Sequence, residues 1–423
     1  MAGSLLGSAT KLSAGDTNLE QQIELLREQN AMLQQQLQRQ SQSLDALTQK
    51  VQSLETATAG REAATAGDAA RPGNGLNFGK VILGGEGGVG FSKTGPEGFA
   101  PNSEFTVNEA RLFLEAPIWK DVYFYGEVDL ATPENNNNQV YLGELYVDFE
   151  NVSQLWGRDD QLNVRAGRMN VPFGEEYLTR NAIDNPLILN SVSDFWAIDP
   201  GVEIYGGLGK FSYVVAVQNG GGNGVQDDND DKSVAGRISF DPDPHWHFSM
   251  SGMRTGNVSA QNGGLSAEWF GNGFFQSIGS SSTTTFSVNA VELDLTARWA
   301  NGYVKAFSGY AEYGDNDPTR GNGRDIFYYS AELVQNLPKN VYGVIRFSEA
   351  IADQGIPIVG NGNSGDYFSA LTTDLWRLSL GLGYRFSDRL VIKTEYSFEG
   401  GQQVNGESRN QENFFGTEIA FKF

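Results

Sequence analysis

The 423-residue chain contains no cysteine, which removes both a disulfide framework and any thiolate metal site. It holds two histidines, His245 and His247. They flank Trp246 beside a turn, where an interfacial role outweighs a metal site. No apolar run approaches the roughly 20 residues that a transmembrane helix needs. Positive charge is in deficit: 30 Lys and Arg stand against 52 Asp and Glu, a net charge of -22, which argues against nucleic acid as a partner. No P-loop, HExxH helix or nucleophile–base motif is present, so neither an enzymatic reaction nor a cofactor is expected. Residues 1–16 lack the basic start and long apolar core of a secretory signal, so an exported protein would be seen here in mature form.

What is abundant is glycine, 52 residues, and aromatics, 12%, arranged in two different periods. Residues 1–18 are small and polar. Over 19–55 apolar residues alternate spacings of four and three, with Ile23, Asn30, Leu37, Leu44 and Val51 at a and Leu19, Leu26, Leu33, Gln40, Leu47 and Leu54 at d. That is the seam of an α-helical coiled coil, whose polar layers Asn30 and Gln40 set register. A linker of small residues with Pro and Gly follows at 56–76.

From residue 77 to the end the period is two. Sixteen strands are expected, an even number, with lengths near the 9–11 residues of tilted membrane strands. Tight turns such as 119–121, 241–244, 337–340 and 387–388 alternate with long polar loops such as 219–232, 257–285 and 353–373. Short turns on one rim and long loops on the other describe a 16-stranded antiparallel transmembrane β-barrel. Trp119, Trp246, Trp299, Phe386 and Phe423 fall beside the short-turn rim, where an interfacial girdle belongs. The last strand has Phe415, Thr417, Ile419, Phe421 and Phe423 on one face and Gly416, Glu418, Ala420 and Lys422 on the other.

Residues 162–174, LNVRAGRMNVPFG, resemble the "GR…PFG" segment that precedes the long third loop of the phosphate-selective porin O/P family. Residues 199–206, DPGVEIYG, are similar to that family's strand after the loop. The resemblance covers about 76–423. It implies a homotrimeric outer-membrane channel, with a third loop folded inward to narrow the pore. The coiled coil looks like the periplasmic extension of some porins, which places the N-terminus in the periplasm and admits peptidoglycan or a periplasmic protein as a tether partner.

Strand alternation assigns lumen faces. The basic residues expected inside are Arg111, Arg165, Arg237, Arg298, Arg346, Arg377, Arg385, Lys393 and Lys422. The acidic residues expected inside include Glu109, Glu127, Asp129, Glu144, Glu292 and Asp294. The family's namesake draws phosphate with inward Arg and Lys, but here acids outnumber bases, and selectivity follows the sign of the focused field. The expectation is therefore a general porin, non-selective or mildly cation-preferring, with phosphate selectivity or a structural tether as alternatives.

The third loop carries Leu187, Ile188, Leu189, Val192, Phe195 and Trp196 together, too apolar for a surface loop. It is expected to pack inside the wall, with Glu175, Glu176, Arg180, Asp184 and Asp194 lining the constriction. Asp227, Asp228, Asp230 and Asp231 form a weak Ca²⁺ candidate without EF-hand spacing.

Overall fold

The computed structural model describes residues 76–78, 81–98, 100–132, 140–220, 227, 230–259, 285–315, 319, 323–356 and 371–423. The heptad segment at 19–55 and nearly all of the linker lie outside the described residues.

Sixteen long strands make one antiparallel wall: β1 (Val81–Thr94), β2 (Glu104–Trp119), β3 (Val122–Ala131), β4 (Tyr141–Phe149), β5 (Asn163–Asn170), β6 (Ile198–Leu208), β7 (Phe211–Gln218), β8 (Ser233–Asp243), β9 (Trp246–Arg254), β10 (Thr285–Trp299), β11 (Gly302–Asp315), β12 (Arg324–Asn336), β13 (Val341–Ile356), β14 (Thr372–Ser387), β15 (Leu390–Gln403) and β16 (Phe414–Lys422). Each strand pairs with the next, and β16 pairs with β1 from Phe414↔Thr94 to Lys422↔Glu86, which closes the barrel. Closure removes the exposed strand edge that an open sheet would carry. Among the described residues no helix is long and apolar enough to cross a membrane; crossing falls to the strands.

Alternation decides the two surfaces. On β16, Phe415, Ile419, Phe421 and Phe423 are exposed on the outer face, whereas Glu418 and Ala420 are buried inside. The closing seam is tightened by two outward glycines of β1. A Cβ at Gly85 would come within 2.7 Å of the Phe423 ring, and one at Gly87 within 2.9 Å of the Phe421 ring. The two aromatic rings thus lie over bare backbone, and Phe423 exchanges hydrogen bonds with Gly85 at 2.9 and 3.2 Å.

Register shifts interrupt the alternation at several points, two of them on β1–β4 beside inward carboxylates. One sits where Gly88 pairs with Glu109 but Val89 pairs with Val107. The other lies between Gly126↔Leu145 and Val128↔Leu142, placing Gly143 and Glu144 across from Glu127. Because an extra residue re-aims the side chains around it, Leu142 and Leu145 both face out while Glu144 faces in. The long connection between β4 and β5 folds into a 3-10 helix, Val152–Trp156.

Candidate functional site: the inner wall and the third loop

The 27-residue link between β5 and β6, called L3 below, does not stay at the rim. Its start, Gly174, donates its N–H to Ser251 Oγ at 2.9 Å on β9. Its middle then follows the inner wall. Ala182 N–H donates to Glu109 of β2, and Arg111 Nη1 donates to Asn181 Oδ1 at 2.9 Å. Ile188 and Leu189 N–H groups donate to Glu395 Oε2 of β15 at 2.7 and 2.9 Å. Val192 N–H donates to Ser348 Oγ of β13 at 3.1 Å.

Apolar burial runs beside these bonds. Val192, Phe195 and Ala197 pack with Tyr313, Ile326, Tyr328, Ala350 and Leu375, and Ile183 and Leu187 pack with Val334, Tyr342, Val344 and Val391. Full burial of side chains of this kind contributes about 1.5–3 kcal/mol each, which accounts for the apolar middle of L3.

The basic residues expected on the far wall face inward but are mostly engaged. Lys393 Nζ donates to the carbonyls of Ala182, Asn185 and Leu187 at 2.6, 2.9 and 2.6 Å, and lies 3.0 Å from Glu418. Arg346 donates to Leu189 O at 2.8 Å and Asn185 Oδ1 at 2.9 Å, and also to Glu332. Arg377 donates to Asn190 O at 3.0 Å and to Glu399 at 2.8 Å. Arg237 donates to Tyr177 Oη at 3.2 Å and also to Gly174 O. Arg385 stacks 5.0 Å over the Tyr342 ring, and Arg298 is exposed near the short-turn rim. The middle of L3 collects positive charge because its carbonyls outside the strand ladder are acceptors, and a charged donor makes about twice the bond of a neutral one.

The acidic wall is built differently. Arg111 sits among Glu109 at 2.9 Å, Glu86 and Asp129 at 3.8 Å and Glu127 at 3.9 Å, four carboxylates around one cation. Arg165 is buried between Asp148 at 3.1 Å and Glu203 at 3.4 Å, with the Tyr146 and Tyr205 rings 4.3 and 5.1 Å from its guanidinium. Glu144 accepts from Asn170 N and Nδ2, both at 3.0 Å. Glu292 accepts from Tyr328 Oη at 2.8 Å, and Asp294 from Ser249 Oγ at 2.9 Å.

Of the five residues expected at the constriction, Arg180 and Asp194 are buried and paired with each other at 2.5 Å, with the Trp196 ring 4.6 Å from the guanidinium. They clamp L3 onto itself rather than offering charge to open lumen. Glu176 binds Ser191 N at 2.9 Å and is only half-buried. Asp184 remains partly exposed, 3.6 Å from Lys422. Glu175 meets His247 Nε2 at 2.8 Å. Alternation puts His247 on the same face as Ser249 and Ser251, but its position beside a turn disguised it as interfacial; Asp241 of β8 meets its Nδ1 at 2.7 Å, and the path of L3 supplies the second partner.

The described residues of the aspartate loop form no cage. Asp228 lies outside the described residues, Asp230 is exposed, Asp227 is paired with Lys232, and Asp231 accepts from Asn257 N at 3.1 Å. Among the described residues no group of three or more His, Asp or Glu is arranged to hold a metal ion.

The GR pair of the sequence motif also has a local cause. Gly167 has φ +147°, and a Cβ there would stand 2.1 Å from Leu145 O. Arg168 Nη1 donates to Leu142 O and Gly143 O, both at 2.6 Å, where β4 has parted from β5.

Comparison with known proteins completes the picture. The family model described as phosphate-selective porin O and P matches residues 89–318. No curated protein matches the sequence. Among solved structures, the outer-membrane channel DcaP of Acinetobacter baumannii aligns with TM-score 0.53 at 14% identity, over 82% of this chain and 99% of its own. OmpT of Vibrio cholerae aligns with TM-score 0.53 at 10% identity, over 83% of this chain and 100% of its own. An anion-selective porin from Comamonas acidovorans aligns with TM-score 0.51 at 10% identity, over 81% and 99%. At these identities the likeness is one of fold.

Proposed function

This chain belongs to the phosphate-selective porin O and P family and so is an outer-membrane channel for passive diffusion; on that premise we propose that it is a general diffusion porin, non-selective or mildly cation-preferring. The observation that carries the reading is the engagement of Lys393, Arg346 and Arg377 with L3 carbonyls and carboxylates. An anion funnel needs cations facing solvent, because the field that selects ions is that of uncompensated charge. Around Arg111, by contrast, four carboxylates share one guanidinium. The lumen field supported by this arrangement is weak and of negative sign.

The homotrimer, the periplasmic N-terminus and a peptidoglycan or periplasmic partner belong to the same proposal. The heptad seam requires partner helices, and β1 begins at the rim of the short turns, which in barrels of this kind is the periplasmic one.

Liposome swelling tests the reading. Vesicles carrying the full chain are expected to swell at comparable rates in small neutral sugars, amino acids and ammonium salts of similar size. Swelling confined to phosphate or other anions would refute a general porin.

A further inference from the structure

We propose that His247 is the positioning residue that latches the root of the constriction loop to the barrel wall, so that the rigidity of the open pore follows the protonation of this one side chain. The inference rests on the chain being a channel and not on which ions the channel prefers.

The geometry is a three-element bridge. His247 Nε2 lies 2.8 Å from Glu175 Oε1 of L3, and Nδ1 lies 2.7 Å from Asp241 Oδ1 of β8. Both ring nitrogens face carboxylate oxygens, which accept and cannot donate, so both must carry a proton for the bridge to hold. The charged groups facing the bridge are Glu175 from L3, Asp241 and Arg237 from β8, and, beyond Glu175, Asp294 of β10 and Lys305 of β11, whose Nζ lies 3.5 Å from Thr179 Oγ1. Arg237 Nε stands 3.6 Å from Glu175 Oε1. The side chains of His247 and Glu175 are 12% and 16% exposed, so water screens the bridge only partly.

A neutral imidazole has one N–H. It can serve Glu175 or Asp241, and the other carboxylate is then left against a ring lone pair. The remaining ties of the root are Ser251 to Gly174 N and Arg237 to Gly174 O, to Tyr177 Oη at 3.2 Å and to Glu175 at 3.6 Å. Deprotonation therefore loosens the Glu175 side chain against β8 and β9, while Arg237 and the buried Tyr177 keep the loop from detaching.

On the acid side the bridge is robust. Burial works to raise the Glu175 carboxyl, but the His247 hydrogen bond and the Arg237 charge prevail and hold it at about 2. A group depressed in this way contributes above its ordinary value and loses that contribution only as pH falls through the depressed one. The latch is thus present from mildly acidic pH upward and fails when the imidazolium loses its proton.

The test is single-channel recording of the full chain in planar bilayers from pH 5 to 10. Wild type is expected to be quiet at low pH and to show a several-fold rise in open-channel noise and substate visits on alkalinisation, reversibly. His247→Gln is expected to be noisy throughout with no pH step. Glu175→Gln keeps the test available if the first variant folds poorly: its amide can accept from a protonated ring nitrogen or donate to a bare one, so it too should lack the step. His245→Gln serves as the control and should behave as wild type. A wild-type trace that is flat over this range, or a pH step retained in either His247→Gln or Glu175→Gln, overturns the proposal.

Discussion

Replacing Lys393 by Met is expected to release the middle of L3 and to enlarge the pore. The ammonium ties the carbonyls of Ala182, Asn185 and Leu187 to β15 while neutralising Glu418. Met matches the stem in size but satisfies none of these acceptors. Glu418 is 3% exposed, and leaving a buried charge without its partner costs about 3–5 kcal/mol. Part of that cost is avoided if the loop lifts away and water enters, so the variant favours the undocked loop by roughly a hundredfold or more. Single-channel conductance should rise and become unsteady, and liposomes should admit larger sugars than the wild type does. Unchanged conductance would mean that apolar packing of Leu187 and Val192 holds L3 without the ion.

Gly167→Ala is expected to prevent most of the protein from reaching the folded barrel. A non-glycine residue at φ +147° carries backbone strain of about 1–3 kcal/mol. The added methyl group would also lie 2.1 Å from Leu145 O and 2.5 Å from Tyr146 Cα, both on the neighbouring strand. The opposite side offers no slack, because the cross-strand partner of Gly167 is Gly201, whose own Cβ would meet Val217 O at 2.2 Å. Strain and main-chain clash together reach the exceptional range above about 4 kcal/mol. Heat-modifiable migration on SDS gels reads the folded fraction directly. Gly157→Ala is the informative companion: φ is +74° there but nothing lies within 4 Å, so only the strain remains and most of that variant should fold.

The barrel was legible because alternation is a local property. Phe415, Ile419 and Phe421 announce their common face without knowledge of any other strand, and sixteen repetitions of the same pattern leave few architectures. The inward direction of Arg346, Arg377 and Lys393 was legible for the same reason. What those residues do there was not. Their acceptors are main-chain carbonyls of a loop more than 150 positions away, and a carbonyl has no residue type to recognise. Arg180 and Asp194 read as free charges because their mutual pairing depends on how L3 doubles back. His247 shows the same limit: beside a turn it read as interfacial, whereas it faces inward, and its partner Glu175 followed only from the loop's path. The bulges at Gly88 and at Gly143–Glu144 were invisible, although the glycine at the second marks the place where two residues crowd against Glu127.

The charge arrangement is the central claim, and the reversal potential in a KCl gradient addresses it most directly. With the full chain in a planar bilayer, the engaged arginines and the carboxylates around Arg111 predict a reversal potential near zero or displaced modestly toward the potassium equilibrium potential. Inorganic phosphate should leave the current unaffected. A reversal potential close to that of chloride, with current blocked by micromolar phosphate, would contradict the account and show that the inward arginines face the permeating ions after all.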